Sequence, residues 1–254
     1  MSEFDVYPRL SALVLYTRQF SALIDAGVSL MRCFQLLQET TDDPELKAAN
    51  ARLSEQVSAG AQLSQAMAEC PDLFPPLYLG FVRAGEIGGV LDDAFSYLAY
   101  WLEQEHEATE RLQTRGLLLR MASKVLGDTS GAKLEVEAQA ALKAARRAAR
   151  IASFCRLFEM GLAAGVPMHL ALTTAAGVLE EQQASHLRAG VEDLAPAQPI
   201  ASLLAEVEDL RPVVAPLVSA GEETACLDDM LRSAAMFYDA EATHLLSSAL
   251  TLPQ

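Results

Sequence analysis

Residues 83–95 read RAGEIGGVLDDAF, and residues 219–231 read SAGEETACLDDML. The first stretch has the look of chemistry, with glycines in a loop and carboxylates beside them. A dinucleotide-binding loop needs a strand before the glycines and a βαβ unit around them. Here the preceding FPPLYLGFV has a helical pattern, and no lysine follows the glycines as it does in a phosphate-binding P-loop. A stretch that returns in weakened form points to a repeated structural turn. Gly85 then ends one helix in close packing, and Gly88 or Gly89 takes the positive-φ position. Asp92 and Asp93 sit in the first turn of the next helix, where the dipole favours anions. Glu86 accepts backbone N–H bonds within the turn. The competing reading makes Glu86 and Asp92 oxygen ligands of a metal ion, but two carboxylates alone form a poor calcium site. No cofactor is expected.

Working outward, the matches extend in order along the chain. Ala26-Gly27-Val28 returns as Ala164-Gly165-Val166, and Phe74-Pro75-Pro76-Leu77 as Leu210-Arg211-Pro212-Val213. Gly85 and Glu86 return as Gly221 and Glu222, and Asp92 as Asp228, while Ala225 stands in the place of Gly89. An internal duplication explains matched features in one order at matched places.

The first copy reads as six helices. Leu10, Leu13, Leu15, Phe20, Leu23 and Ile24 recur at three- and four-residue steps, and Gly27 supplies a stop. Ser29 caps a second helix carrying Leu30, Phe34 and Leu37 on one face. Asp43 caps a third, with Pro44 as its first residue and Gly60 as its end. LSQAMAEC is a short fourth, a fifth starts after Pro75 and Pro76, and LDDAFSYLAYWLEQEHEATERLQTR is a long sixth. Short turns between such helices predict an antiparallel bundle. The fold expected is all-α: two tandem six-helix bundles over residues 1–112 and 146–254, joined by a charged, partly helical linker over 113–145.

Composition agrees: 51% of the residues are hydrophobic and only 6% aromatic. The net charge is −15, which argues against binding a nucleic-acid backbone. The charge is uneven. Residues 1–110 hold 6 basic and 17 acidic residues, residues 111–150 hold 9 and 3, and residues 151–254 hold 4 and 14. In the basic segment, Lys143, Arg146, Arg147 and Arg150 fall on one broad helix face. It reads as a solvated face that pairs with the acidic bundles, or as a peripheral contact with anionic lipid headgroups or a partner. The amphipathic LLLRMASKVL precedes it at 117–126.

The remaining chemistry-bearing residues give little. Cys33, Cys70, Cys155 and Cys226 are scattered singly and read as small buried residues in a reducing compartment. His106, His169, His186 and His244 are far apart, and no nucleophile elbow is present. Glu103, Glu105, Glu107 and Glu110 read as a solvated helix face. Tyr97 and Trp101, four apart, read as the flank of the core. The opening MSEFDVYPRL is acidic and lacks an apolar run, and no stretch has the apolar length of a membrane span. A cytoplasmic protein is expected, at most peripheral at a membrane.

The run F..LIDAGVSL..CFQLL, then FPPLYLGFVRAGE.GG.LDDAF.YLA, resembles the F-domain repeat of the bacterial type II secretion and type IV pilus platform proteins, the GspF/PilC family. The resemblance covers roughly residues 14–105 and 150–242. It implies non-enzymatic helical bundles that contact an assembly ATPase and other platform subunits, with self-association a further option. Members of that family carry three membrane spans. Residues 106–149 here put a charged segment where two of them belong, and only HLLSSALTLPQ follows where the third would start. The expected function is a scaffold acting through protein–protein contacts. The alternatives are a soluble regulator competing with the membrane platform and, from another class, an enzyme or small-molecule binder, which would need convergent buried polar groups.

Overall fold

A computed structural model describes residues 10–126, 130–193 and 198–250, with side chains described for 10–107, 109–110, 140–193 and 198–247. Among the described residues the structure has helices and no strand. The helices are α1 (Leu10–Asp25), α2 (Leu30–Thr40), α3 (Pro44–Ser58), α4 (Leu63–Ala68), α5 (Pro76–Gly88), α6 (Leu91–Leu126), α7 (Ser130–Ala163), α8 (Met168–Ala176), α9 (Glu181–Glu192), α10 (Ile200–Leu204), α11 (Val214–Thr224) and α12 (Leu227–Leu250). α7 to α12 follow the order of α1 to α6, including a short fourth member, α4 or α10, in each series.

Local chemistry explains most of the boundaries. Asp43 accepts from the amides of Glu45 and Leu46 at 3.0 and 2.9 Å, so α3 starts on a side-chain cap followed by Pro44. Ser29 occupies the corresponding position before α2 but makes no side-chain capping bond. α1 ends where Gly27 (φ +74°) turns left-handed, with Val28 N–H bonded to Leu23 O and Gly27 N–H to Ile24 O. The second copy repeats this ending: Gly165 (φ +75°), Val166 N–H to Gly161 O and Gly165 N–H to Leu162 O. These six-to-one and five-to-two bonds satisfy carbonyls that a helix end leaves open.

The structure forms two compact units that cut across the repeats. One comprises Met1–His106 with Leu157–Glu192, the other Glu107–Arg156 with Asp193–Gln254. The sequence boundaries near 112 and 146 coincide with no helix end, because α6 runs on to Leu126 and α7 runs from Ser130 to Ala163. Much of the loop signal GDTSGAK is therefore the start of α7, and its residues 127–129 lie outside the described residues. So do the side chains of LLLRMASKVL.

The first unit is built on aromatic rings. Phe20 lies 4.4 Å from Phe95 and 5.7 Å from Phe34, ring centre to ring centre, and Tyr78 meets Phe95 edge-on at 6.2 Å. Four buried polar side chains in this core are hydrogen-bonded. Tyr16 OH donates to Asn50 Oδ1 at 3.0 Å, and Asn50 Nδ2 donates to Phe34 O and Gln38 Oε1 at 2.8 and 3.0 Å. Thr17 Oγ1 and Tyr78 OH share a bond of 3.1 Å. Burial pushes the Tyr16 and Tyr78 phenols well up, so both stay neutral. α1 also departs from its sequence pattern: Leu15 is 53% exposed, while Tyr16 and Thr17 take core positions.

In the second unit α11 packs on α12 and on α10. α12 buries Leu231, Ala234, Ala235, Tyr238 and Ala242, a helical stripe of mostly small residues. α7 contributes Ala145, Ala148, Ile151, Ala152, Phe154 and Cys155 to buried positions.

Candidate interaction site

The repeated stretch is the joint between α5 and α6, and again between α11 and α12. Its glycines serve two purposes. Gly89 ends α5 at φ +70°, with its own N–H and that of Val90 both bonded to Gly85 O. Gly85 has ordinary helical geometry but no room for a side chain. A Cβ there would lie 2.8 Å from Ala94 Cβ and 3.2 Å from Leu91 Cα. Gly221 is the same case, with Leu227 Cα at 2.9 Å and Met230 Cγ at 3.2 Å. Ala225, in the place of Gly89, still adopts the left-handed conformation (φ +56°), alone among the described non-glycine residues. The turn has thus kept its shape after losing the residue best suited to it.

Glu86 accepts backbone N–H bonds, though not within its own turn. Its Oε1 accepts from Leu63 N–H and its Oε2 from Ser64 N–H at 2.9 Å, so the carboxylate caps the start of α4. Glu222 does the same for α10, accepting from Ile200 and Ala201 at 2.7 and 3.2 Å. The residues at the N-cap positions, Gln62 and Pro199, make no side-chain cap. A helix N-terminus leaves N–H groups unpaired, and a carboxylate there is favoured by both hydrogen bonding and dipole. Both Glu86 oxygens bond to amides, and Asp92 is an exposed side chain of the first turn of α6. Among the described residues no group of three His, Cys, Asp or Glu side chains converges that could hold a metal ion.

The other sequence candidates divide as follows. Pro76 is the first residue of α5 and Pro75 its N-cap. In the second copy Arg211, which replaces Pro75, donates through Nε to Ala205 O at 2.7 Å and closes the turn before α11. Asp228 and Asp229 stand in the first turn of α12, where Asp229 also pairs with Arg232 at 3.1 Å. Trp101 is buried and Tyr97 stacks 4.6 Å from Phe81. Glu105 is buried, against the expectation of a fully solvated face at 103–110.

Arg147 of the basic face is engaged: its Nη2 pairs with Asp209, which holds the guanidinium even more firmly protonated. Lys143 is exposed, and Arg146 and Arg150 are half-buried. Below them, α7 and α12 form a polar seam that sequence reasoning missed. Arg156 Nη2 lies 3.7 Å from Asp239 Oδ2. Burial raises the Asp239 carboxyl, and Arg156 opposes the shift. Burial pushes the Cys155 thiol up, and it pushes the Tyr238 phenol up to about 12, helped by Glu241. These residues stand far apart in sequence and carry no motif, so only the packing of α12 on α7 reveals them.

Among the described residues no helix is long and apolar enough to cross a membrane. The largest exposed apolar side chains are Met236 (62%), Leu15 (53%) and Phe237 (51%).

Comparison with known proteins accounts for the duplication. The family model of type II secretion system protein F matches twice, over residues 16–122 and 154–251. The type 4 fimbrial assembly protein PilC of Pseudomonas putida is 28% identical over 93% of this chain and 76% of its own length. The type II secretion system protein F of Xanthomonas campestris pv. campestris is 38% identical over 37% of this chain and 23% of its own. The type IV pilus assembly protein PilC of Myxococcus xanthus is 31% identical over 40% of this chain and 24% of its own. In these last two the matched stretch spans about a quarter of the relative. With both copies matched, the chain belongs to the type II secretion system protein F family.

Proposed function

We propose that the chain is a non-enzymatic assembly component of a type II secretion or type IV pilus machine, working through contacts with the assembly ATPase or other platform subunits. The observation that carries this reading is the use of the repeated stretch. Its one ligand-like element, Glu86 and again Glu222, is engaged with backbone amides that hold a short helix in place. What remains toward solvent is acidic surface and exposed apolar side chains, which suit partner contacts. Tyr16, Thr17, Asn50 and Tyr78, buried in the first unit, are hydrogen-bonded within the core, which supports a structural role over a substrate site.

The test is binding of the purified chain to the purified secretion or pilus ATPase of the same organism, followed by titration calorimetry. A saturable interaction that weakens with salt supports the proposal, and no heat at any salt concentration refutes it. A second reading, a regulator that competes with the membrane platform, is favoured by the charge of residues 111–150, with 9 basic and 3 acidic residues where the family resemblance implies membrane spans. Overproduction separates the two: a competitor lowers secretion or piliation, whereas a component is required for it. The exposed part of the basic face around Lys143 is the surface we assign to anionic headgroups or to an acidic partner. Its charge reversal, with Arg146 and Arg150, abolishes flotation with anionic vesicles in the first case and leaves it unchanged in the second.

A further inference from the structure

The internal duplication makes it possible to ask of each surface in one copy what its counterpart does in the other. In the first unit, the end of α7 lies against α5. Leu157 Cδ1 is 3.7 Å from where a Cβ on Gly80 would be, and Ala164 Cβ is 2.5 Å from the corresponding point on Gly88. The approach is so close because Gly80, Ala84 and Gly88 form a ridge of small residues on α5. Phe81 and Ala84 on α5, Trp101 on α6, and Leu157 and Met160 on the opposing helix are all buried. It joins the fifth helix of one repeat to the first helix of the next.

Each repeat has both halves of this contact, so each copy has one half left over. The counterparts of Gly80, Ala84 and Gly88 are Pro216, Ala220 and Thr224 on α11, all exposed. The counterpart of the buried Trp101 is Phe237 on α12, 51% exposed, and beside it Met236 is 62% exposed. On the other side, the counterparts of Leu157, Met160 and Ala164 are Gln19, Ala22 and Ala26 on α1. Ala22 and Ala26 are exposed, and one turn earlier on the same stripe Leu15 is 53% exposed. Leu15 and Phe237, two of the three most exposed large apolar side chains among the described residues, therefore fall on these two unmatched faces.

We propose that a second copy of this chain is the missing partner: the α1 stripe of one molecule docks on the α11–α12 face of another, repeating between molecules the contact that α7 makes with α5. The substitutions are mutually consistent. Thr224 and Pro216, larger than Gly88 and Gly80, hold the docked helix further out, and Phe237 fills the added space. Ala22, in the place of Met160, gives up bulk on the facing stripe. Such a contact is heterologous: the two faces are different, so a bound copy still presents a free face.

Sedimentation velocity of the full chain over a concentration series tests this. Wild type is expected to form dimers or larger species. Leu15→Glu and Phe237→Glu are each expected to be monomeric, with melting temperatures unchanged because both side chains are exposed. Mixed in equal amounts, the two variants form a one-to-one dimer and nothing larger, since each brings one intact face. Repeating the pair as Leu15→Lys and Phe237→Lys separates loss of apolar contact from the chain's net negative charge, and the same pattern is expected. A wild-type chain that stays monomeric at every concentration overturns the proposal. So does association lost with Phe237→Glu but kept with Leu15→Glu, the mark of a two-fold contact through α12 alone.

Discussion

Ala225 is the residue with most to gain from substitution. A left-handed alanine costs about 1 kcal/mol relative to glycine. Ala225→Gly is therefore expected to raise the urea midpoint, and Gly89→Ala to lower it by a similar amount, with the slope of the transition unchanged. Gly85 and Gly27 fail for different reasons when replaced. Gly85→Ala sets a methyl 2.8 Å from Ala94 Cβ, an overpacking expected to destabilise by about 1–3 kcal/mol. Gly27 has open space around it but φ +74°, so Gly27→Val loses stability through the backbone alone. Thermal unfolding checks both, and an unchanged melting temperature for either would contradict the geometry. Gly27 and Gly165 were legible in the sequence because only glycine enters the left-handed region at no cost, and Gly89 was one of two candidates beside Gly88, whose geometry is helical. Ala225 was not, since an alanine gives no sign of its φ.

The helices themselves were legible, because their apolar spacing and capping residues are local signals. What the sequence hid at this scale is how a helix as short as α4 begins. Its cap is Glu86, a side chain 22 and 23 residues further along, and no local pattern reports such a bond. Glu86→Gln leaves one amide without an acceptor and a side-chain NH2 facing it. The expected loss is about 1–3 kcal/mol, with faster hydrogen exchange at Leu63 and Ser64. Glu222→Gln should act likewise on Ile200 and Ala201. The seam between α7 and α12 gives a pH signature. Burial raises the folded pKa of Asp239 above its unfolded value, so the folded state binds its proton more tightly. Its contribution is fully present below the unfolded pKa, about 4, and is lost as pH rises through the folded value. Relative to Asp239→Asn, wild type should become less stable as pH increases from about 4 toward neutrality. A stability difference constant across that range would show that Asp239 does not titrate as placed.

For the whole molecule, net charge is the property that reaches furthest from the surface. At −15 the chain as a whole should associate with basic partners at rates that fall steeply with salt, leaving only the local basic face for an anionic one. Stopped-flow association with a basic partner protein at two ionic strengths checks this, and a salt-independent rate would assign recognition to apolar contacts. The repeat order was legible at this scale, since Ala-Gly-Val, Pro-Pro and Ala-Gly-Glu recur in sequence. The division into compact units was not, because nothing in residues 157–192 announces that they pack with residues 1–106.

That division has a consequence for the chain as it is made. Synthesis runs from the N-terminus, and the ridge of Gly80, Ala84 and Gly88 leaves the ribosome long before Leu157 and Ala164, which cover it. During that interval the first six helices are complete in secondary structure but lack the residues that cover Gly80 and Gly88. The nascent chain is thus most vulnerable to aggregation midway through translation, and a slow stretch of messenger between the codons for residues 107 and 156 would lengthen the exposure.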